Sequence, residues 1–147
     1  MRCEIQIDPA VQEPYAVIVA GEATPEVLTA AQLLQRAEEP VLRGYAEKEI
    51  RLLRQPQILR IYAQRQKVWA QTLDGRQYAL RERLYELEGR LDTALFVRIS
   101  NAEIINSSCI CSLDVSLTGT IGVYLEGGIK TYASRRYVPR LKQFFGL

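Results

Sequence analysis

Residues 96–106 read Phe96-Val97-Arg98-Ile99-Ser100-Asn101-Ala102-Glu103-Ile104-Ile105-Asn106. Two short apolar pieces, Phe96 to Ile99 and Ile104-Ile105, flank four small or polar residues, Ser100 to Glu103. Pieces of this length are strand-like, and a break this short puts its side chains on show at the edge of a β-framework. Arg98 stands on one side of the break and Asn106 on the other. Arginine and asparagine are also the residue types that pair with guanine and adenine edges. A plain β-turn containing Asn101 is the alternative that needs no ligand.

The rest of the chain carries the same short-strand signature. Residues 58–62, 68–73 and 77–80 are apolar runs separated by the polar turn Gln64-Arg65-Gln66-Lys67 and by Asp74-Gly75. Asp-Gly is a strong hairpin signal, so these three form a meander. Leu80, Leu84, Leu87 and Leu91 then recur at helical spacing, which predicts a short amphipathic helix. Residues 108–117 alternate, Gly119 turns the chain, and 121–125 and 129–133 are strands around Gly127-Gly128. Ser134 can cap a last helix with Tyr137, Val138, Leu141 and Phe144/Phe145 on its apolar side, although Pro139 argues for a later start.

Ahead of this region, residues 2–7 alternate (Cys3, Ile5, Ile7) and 15–20 form an apolar run, so both read as strands. Thr24-Pro25 opens a helix with an apolar stripe of Val27, Leu28, Ala31, Leu34 and Ala37, and Pro40 stops it. Residues 41–53 read as one strand or a strand plus a connector, weakened by Gly44. This predicts a β-β-α appendage over 1–46, its boundary between Gly44 and Glu47, followed by a domain over 47–147.

Charge separates the same two parts. Residues 1–40 hold two bases and seven acids, a balance of −5. Residues 41–147 hold seventeen bases and ten acids, a balance of +7. From Lys130 onward there are five bases and no acid. A basic body of this kind is the footprint of a polyanion binder.

The chain has no histidine, which removes the usual base for a serine or cysteine nucleophile and the commonest metal ligand. Three cysteines, Cys3, Cys109 and Cys111, are an odd number and make no disulfide framework. Cys109 and Cys111 would share one face of a strand and read as small core residues. No enzyme activity, cofactor or metal is therefore expected. No apolar run approaches a membrane span and no signal peptide opens the chain, so a cytoplasmic location is expected.

Taken together, F-x-R-x-(four residues)-I-x-N, the later Ser134-Arg135-Arg136-Tyr137, the Leu-rich helix and the order of elements resemble the LytTR-type DNA-binding domain of bacterial transcription regulators. The resemblance covers roughly residues 47–147. It implies an α+β fold, mostly antiparallel β, of small compact sheets with short helices and no helix-turn-helix. It also implies duplex DNA as the partner, read in successive major grooves by loops. The family's base-reading position falls on Asn101, its C-terminal contact on Arg136 and its first-hairpin contact on Lys67. Arg98, Arg135 and Arg65 are further phosphate candidates. Ser100-Asn101-Ala102 departs from the pattern, in which many members carry His, then Arg, Lys or Asn, then Ser. Glu103 adds an acid that either weakens DNA binding or faces the protein.

The resemblance further implies a stand-alone regulator without a receiver domain, often working with a membrane-protein partner. The appendage, with apolar content of its own, is expected to present residues 15–20 for a homodimer that depends on 1–46. A β module for single-stranded nucleic acid is the competing reading, with Tyr62, Trp69, Tyr78 and Tyr124 as stacking platforms. Trp69 reads more naturally as a core anchor of the meander.

Overall fold

The computed structural model describes residues 1–36 and 41–147. They fall into two compact units, Met1–Glu38 and Glu39–Leu147. The first holds one helix, α1 (Pro25–Arg36). Thr24 caps it as its sequence predicts: Val27 N–H donates to Thr24 Oγ1 at 3.4 Å. Ala37 and Pro40, read as stripe and stop, lie outside the described residues. The two strands expected at 2–7 and 15–20 are not formed. Ile5, Ile7, Tyr15, Val17 and Val19 are exposed instead. Alternation makes a strand only where a neighbouring strand takes up the backbone hydrogen bonds, and none is offered here.

The second unit is built from ten strands. A seven-stranded antiparallel sheet has the order β2-β1-β5-β4-β3-β7-β6, and a three-stranded sheet the order β10-β9-β8. The first sheet opens with a hairpin the sequence did not resolve: β1 (Leu42–Ala46) and β2 (Glu49–Leu53). β1 lies between β2 and β5 (Gln77–Leu80), with Tyr45 opposite Ala79. The β1–β2 hairpin thus belongs to the second compact unit and begins on the N-terminal side of the boundary expected between Gly44 and Glu47. Gly44 does not weaken this strand; it makes it possible. A Cβ there would sit 2.6 Å from Tyr78 Cβ and 2.8 Å from Leu53 Cδ1, so only glycine admits the buried tyrosine.

The meander is as expected: β3 (Ile58–Gln64), β4 (Lys67–Thr72) and β5. The β4–β5 turn is closed by Gly75 at φ +85° and by Arg76 N–H donating to Asp74 Oδ1 at 3.2 Å. The β3–β4 turn is less ordinary. Arg65 and Gln66 both hold positive φ, 51° and 65°, a left-handed pair made without glycine. The Leu-rich segment forms α2 (Leu84–Arg90), burying Leu84 and Leu87. With Leu91 they cover one face of the sheet and close a core with Leu42, Ile61 and Tyr78. Trp69 lies half-buried on the other face and is not part of that core.

The central stretch is a hairpin, β6 (Phe96–Ser100) and β7 (Glu103–Asn106), with a register shift between Arg98 and Ser100. Phe96 and Ile104 enter the first core, while Val97, Ile99 and Ile105 enter a second. That second core is closed by β8 (Ile110–Asp114), β9 (Ile121–Leu125), β10 (Ile129–Ala133) and α3 (Val138–Phe145). Strands covered on both faces need continuous apolar runs, which is why this stretch does not alternate.

Three local expectations are corrected. Cys109 sits in a 3-10 turn before β8 and is buried, whereas Cys111 is exposed, so the two do not share a face. Ser134 offers no side-chain cap; a 3-10 turn, Arg135–Tyr137, intervenes and α3 begins at Val138 with Pro139 in its first turn. Asn106 is fully buried. Its Nδ2 donates to Ile58 O at 2.9 Å and its Oδ1 accepts from Ser108 N–H and Oγ–H, so it staples strands rather than reading a ligand.

Candidate nucleic-acid interface

Three exposed segments carry the candidate residues. The β3–β4 turn presents Arg65, Gln66 and Lys67; the β6–β7 tip presents Asn101 and Ala102 beside half-buried Ser100; the segment after β10 presents Arg135 and Arg136. Antiparallel pairing of β3 with β7 sets the first two side by side, and Ala63 N–H donates to Ala102 O at 2.8 Å. The third is joined to the second twice. Ser134 N–H donates to Ile99 O at 2.9 Å, and the Tyr137 hydroxyl donates to Asn101 Oδ1 at 2.9 Å.

Arg98 holds the tip from beneath. Its Nε donates to Ser100 O at 3.0 Å and one terminal nitrogen to Asn101 O at 2.9 Å. The other terminal nitrogen pairs with Glu88 Oε2 at 2.8 Å. All three nitrogens of the guanidinium are thus engaged within the protein, and its side chain is only 14% exposed. Glu88 is shared: its Oε1 also pairs with Arg140 at 2.6 Å. Burial alone would push the Glu88 carboxyl up, but the hydrogen bonds from Arg98 and Arg140 outweigh it and hold the group below its ordinary range. The guanidiniums of Arg98, Arg136 and Arg140 lie 5.7, 6.0 and 5.4 Å from the Tyr137 ring centroid, a distance at which the ring face attracts each cation.

Arg135 is placed by a glycine. Gly119, at φ +77°, would bring a Cβ to 2.9 Å from Arg135 Nε, so the bare backbone at the β8–β9 connection gives the arginine its bed. Glu103 faces the protein. It pairs with Arg60 at 3.0 Å and accepts from the Thr131 hydroxyl on β10, which ties the two sheets together. Its charge is balanced locally and does not oppose a phosphate.

The aromatic platforms are less available. Tyr78 is buried. Arg60 lies over Tyr62 at 4.5 Å, and Lys130 lies near Tyr124 at 4.9 Å and Tyr132 at 5.3 Å. The Tyr124 hydroxyl and then that of Tyr132 raise the Lys130 ammonium above its ordinary pKa.

Tyr137 and Glu88 are the residues that sequence reasoning missed. Tyr137 sits inside the Ser134-Arg135-Arg136-Tyr137 motif but reads there as one more apolar helix residue. Its hydroxyl has meaning only once Asn101 is opposite it.

These loops stand on a β framework in which five strands separate α2 from α3, so described residues 41–147 form no helix-turn-helix. The description "LytTr DNA-binding domain" matches residues 48–146. An uncharacterized HTH-type transcriptional regulator of Staphylococcus aureus (strain bovine RF122 / ET3-1) is 37% identical over 102 residues, 69% of this chain and 68% of that protein. A second, from strain NCTC 8325 / PS 47, is 36% identical over the same span. The solved LytTr DNA-binding domain of a putative methyl-accepting/DNA response regulator from Bacillus cereus superposes with a TM-score of 0.70 at 16% identity. It covers 73% of this chain and 97% of its own, and shares the fold. The class is that of DNA-binding domains of transcription regulators, not that of an enzyme family. The chain belongs to the LytTr DNA-binding domain family.

Proposed function

We propose that this chain is a sequence-specific duplex DNA binder that acts as a bacterial transcription regulator in the cytoplasm. Loops around Lys67, Asn101 and Arg136 enter major grooves. Arg65 and Arg135 meet phosphate, and Ser100 lies against the same backbone. Arg98 serves the site from inside, by holding the two carbonyls of the tip. The protein works as a homodimer and, on the family resemblance, with a membrane-protein partner.

The carrying observation is the Tyr137–Asn101 hydrogen bond. It orients the exposed amide so that Oδ1 faces the hydroxyl and Nδ2 points away, where an acceptor on a base edge can meet it. Single-strand binding is disfavoured because cations already lie over the rings of Tyr62 and Tyr124. The test is selection from random duplexes, then salt-matched titration of the selected site, a scrambled duplex and its single strand. A selected duplex bound about a hundredfold or more tighter than the scrambled one supports the reading. Equal affinity for all three overturns it.

A further inference from the structure

β2 is an edge strand, and among the described residues it pairs with β1 alone. The opposite edge of the same sheet is covered: β6 takes a hydrogen bond from Ser134 N–H at Ile99 O, and Leu141 of α3 shares its core. Among the described residues of its own unit, β2 has no such cover. Its sequence, Glu49-Ile50-Arg51-Leu52-Leu53, contains neither the proline nor the lysine that natural edges use to refuse a second strand. Ile50 and Leu52 are each 65% exposed. They share a face with Tyr45, which stands opposite Ile50.

The charges on this strand are self-complementary. Lay a second β2 antiparallel to the first, centred on Ile50. Each Glu49 then stands opposite the Arg51 of the other copy, and the two Ile50 side chains meet. Shift the centre to Arg51 and two arginines oppose each other, which is unfavourable. One register is therefore selected by charge, and the same register brings both Ile50–Leu52 faces together. Among the described residues neither Arg51 nor Glu49 is held in a salt bridge. The Arg51 guanidinium lies 5.7 Å from the Tyr78 ring and feels the charge of Asp74, and Glu49 feels that of Arg76, so both remain free to turn toward a second copy.

We propose that β2 is a self-association surface, through which two copies of this chain join their seven-stranded sheets edge to edge. The β6–β7 hairpin lies at the other end of the strand order in each copy, so pairing leaves both tips uncovered. The surface does not depend on how DNA is read, and its test uses no DNA.

Sedimentation velocity of the full chain across a wide concentration range tests it. The wild type should pass from monomer to dimer. Arg51→Glu sets two acids opposite each other, and Glu49→Arg sets two bases opposite each other. Each should raise the dissociation constant roughly tenfold or more. The doubly reversed Glu49→Arg/Arg51→Glu chain should recover the wild-type constant. All three changes are at exposed positions, and circular dichroism with thermal melting checks that each chain is folded. A wild type that stays monomeric overturns the proposal. So does a dimer indifferent to the single reversals, or a double reversal that does not recover.

Discussion

The Tyr137 hydroxyl donates to Asn101 Oδ1 at 2.9 Å across 36 residues of sequence. It links the tip of the central hairpin to the C-terminal arginines. The same ring lies within 6.0 Å of three guanidiniums, so one side chain organises the amide and the cations around it.

Removing that hydroxyl should loosen Asn101 without unfolding the chain, because the buried ring remains. Tyr137→Phe is expected to weaken binding to a selected duplex by about 0.5–1.5 kcal/mol, the usual net worth of one hydrogen bond. In an Asn101→Ala background the same change should do nothing further. A double-mutant cycle measures this, and strict additivity would mean that the hydroxyl acts elsewhere.

Asn101→Ala should cost ~1–3 kcal/mol on the selected site and little on scrambled DNA. Competition titrations against both duplexes give the two numbers. Equal losses would place Asn101 on the sugar-phosphate backbone.

Arg136→Ala should lower affinity on every sequence and flatten the log–log salt dependence by about one unit if it meets phosphate. Titrations at four or five salt concentrations read the slope. An unchanged slope with relaxed base preference would instead make Arg136 a base reader.

Glu88 gives a pH prediction. Its carboxyl is held below the ordinary range in the folded chain. A group depressed in this way stabilises the fold above its unfolded pKa, and the contribution is lost as pH falls through the folded value. Glu88→Gln should therefore flatten the acid limb of the stability curve, followed by chemical denaturation between roughly pH 3 and pH 7. It should also reduce discrimination between selected and scrambled DNA, since Arg98 would lose the partner that fixes it under the tip.

Gly44→Ala should destabilise the fold by about 1–3 kcal/mol through overpacking against Tyr78. Thermal melts of both chains give the difference.

The elements legible in the sequence are those defined by neighbours. Asp74-Gly75 marked its hairpin because that pair suits the turn by itself, and the leucine spacing marked α2 because one helix face repeats locally. The β1–β2 hairpin was not legible. Its turn, Glu47-Lys48, lacks glycine and asparagine, and the reason for Gly44 is a tyrosine 34 residues away. The strands expected at 2–7 and 15–20 had the right period but no sheet to join. In the candidate site, exposure decided what type could not. Asn106 and Arg98 have the side chains of DNA contacts, yet one is buried and the other is fully occupied. Glu103 could have faced either way until Arg60 and Thr131 were placed beside it.

The left-handed pair Arg65-Gln66 bears on how this fold tolerates change. Side chains with a Cβ sit in that region at a cost of about 1 kcal/mol each, whereas Asn-Gly would sit there comfortably. A chain optimised only for staying folded would place Asn-Gly at this tip. The turn as it stands trades resilience for reach: it carries a five-donor fork at the outermost point of the meander, on a backbone under tension. Local melting of the meander should accordingly begin at this tip rather than at Asp74-Gly75, and hydrogen exchange would see it first there.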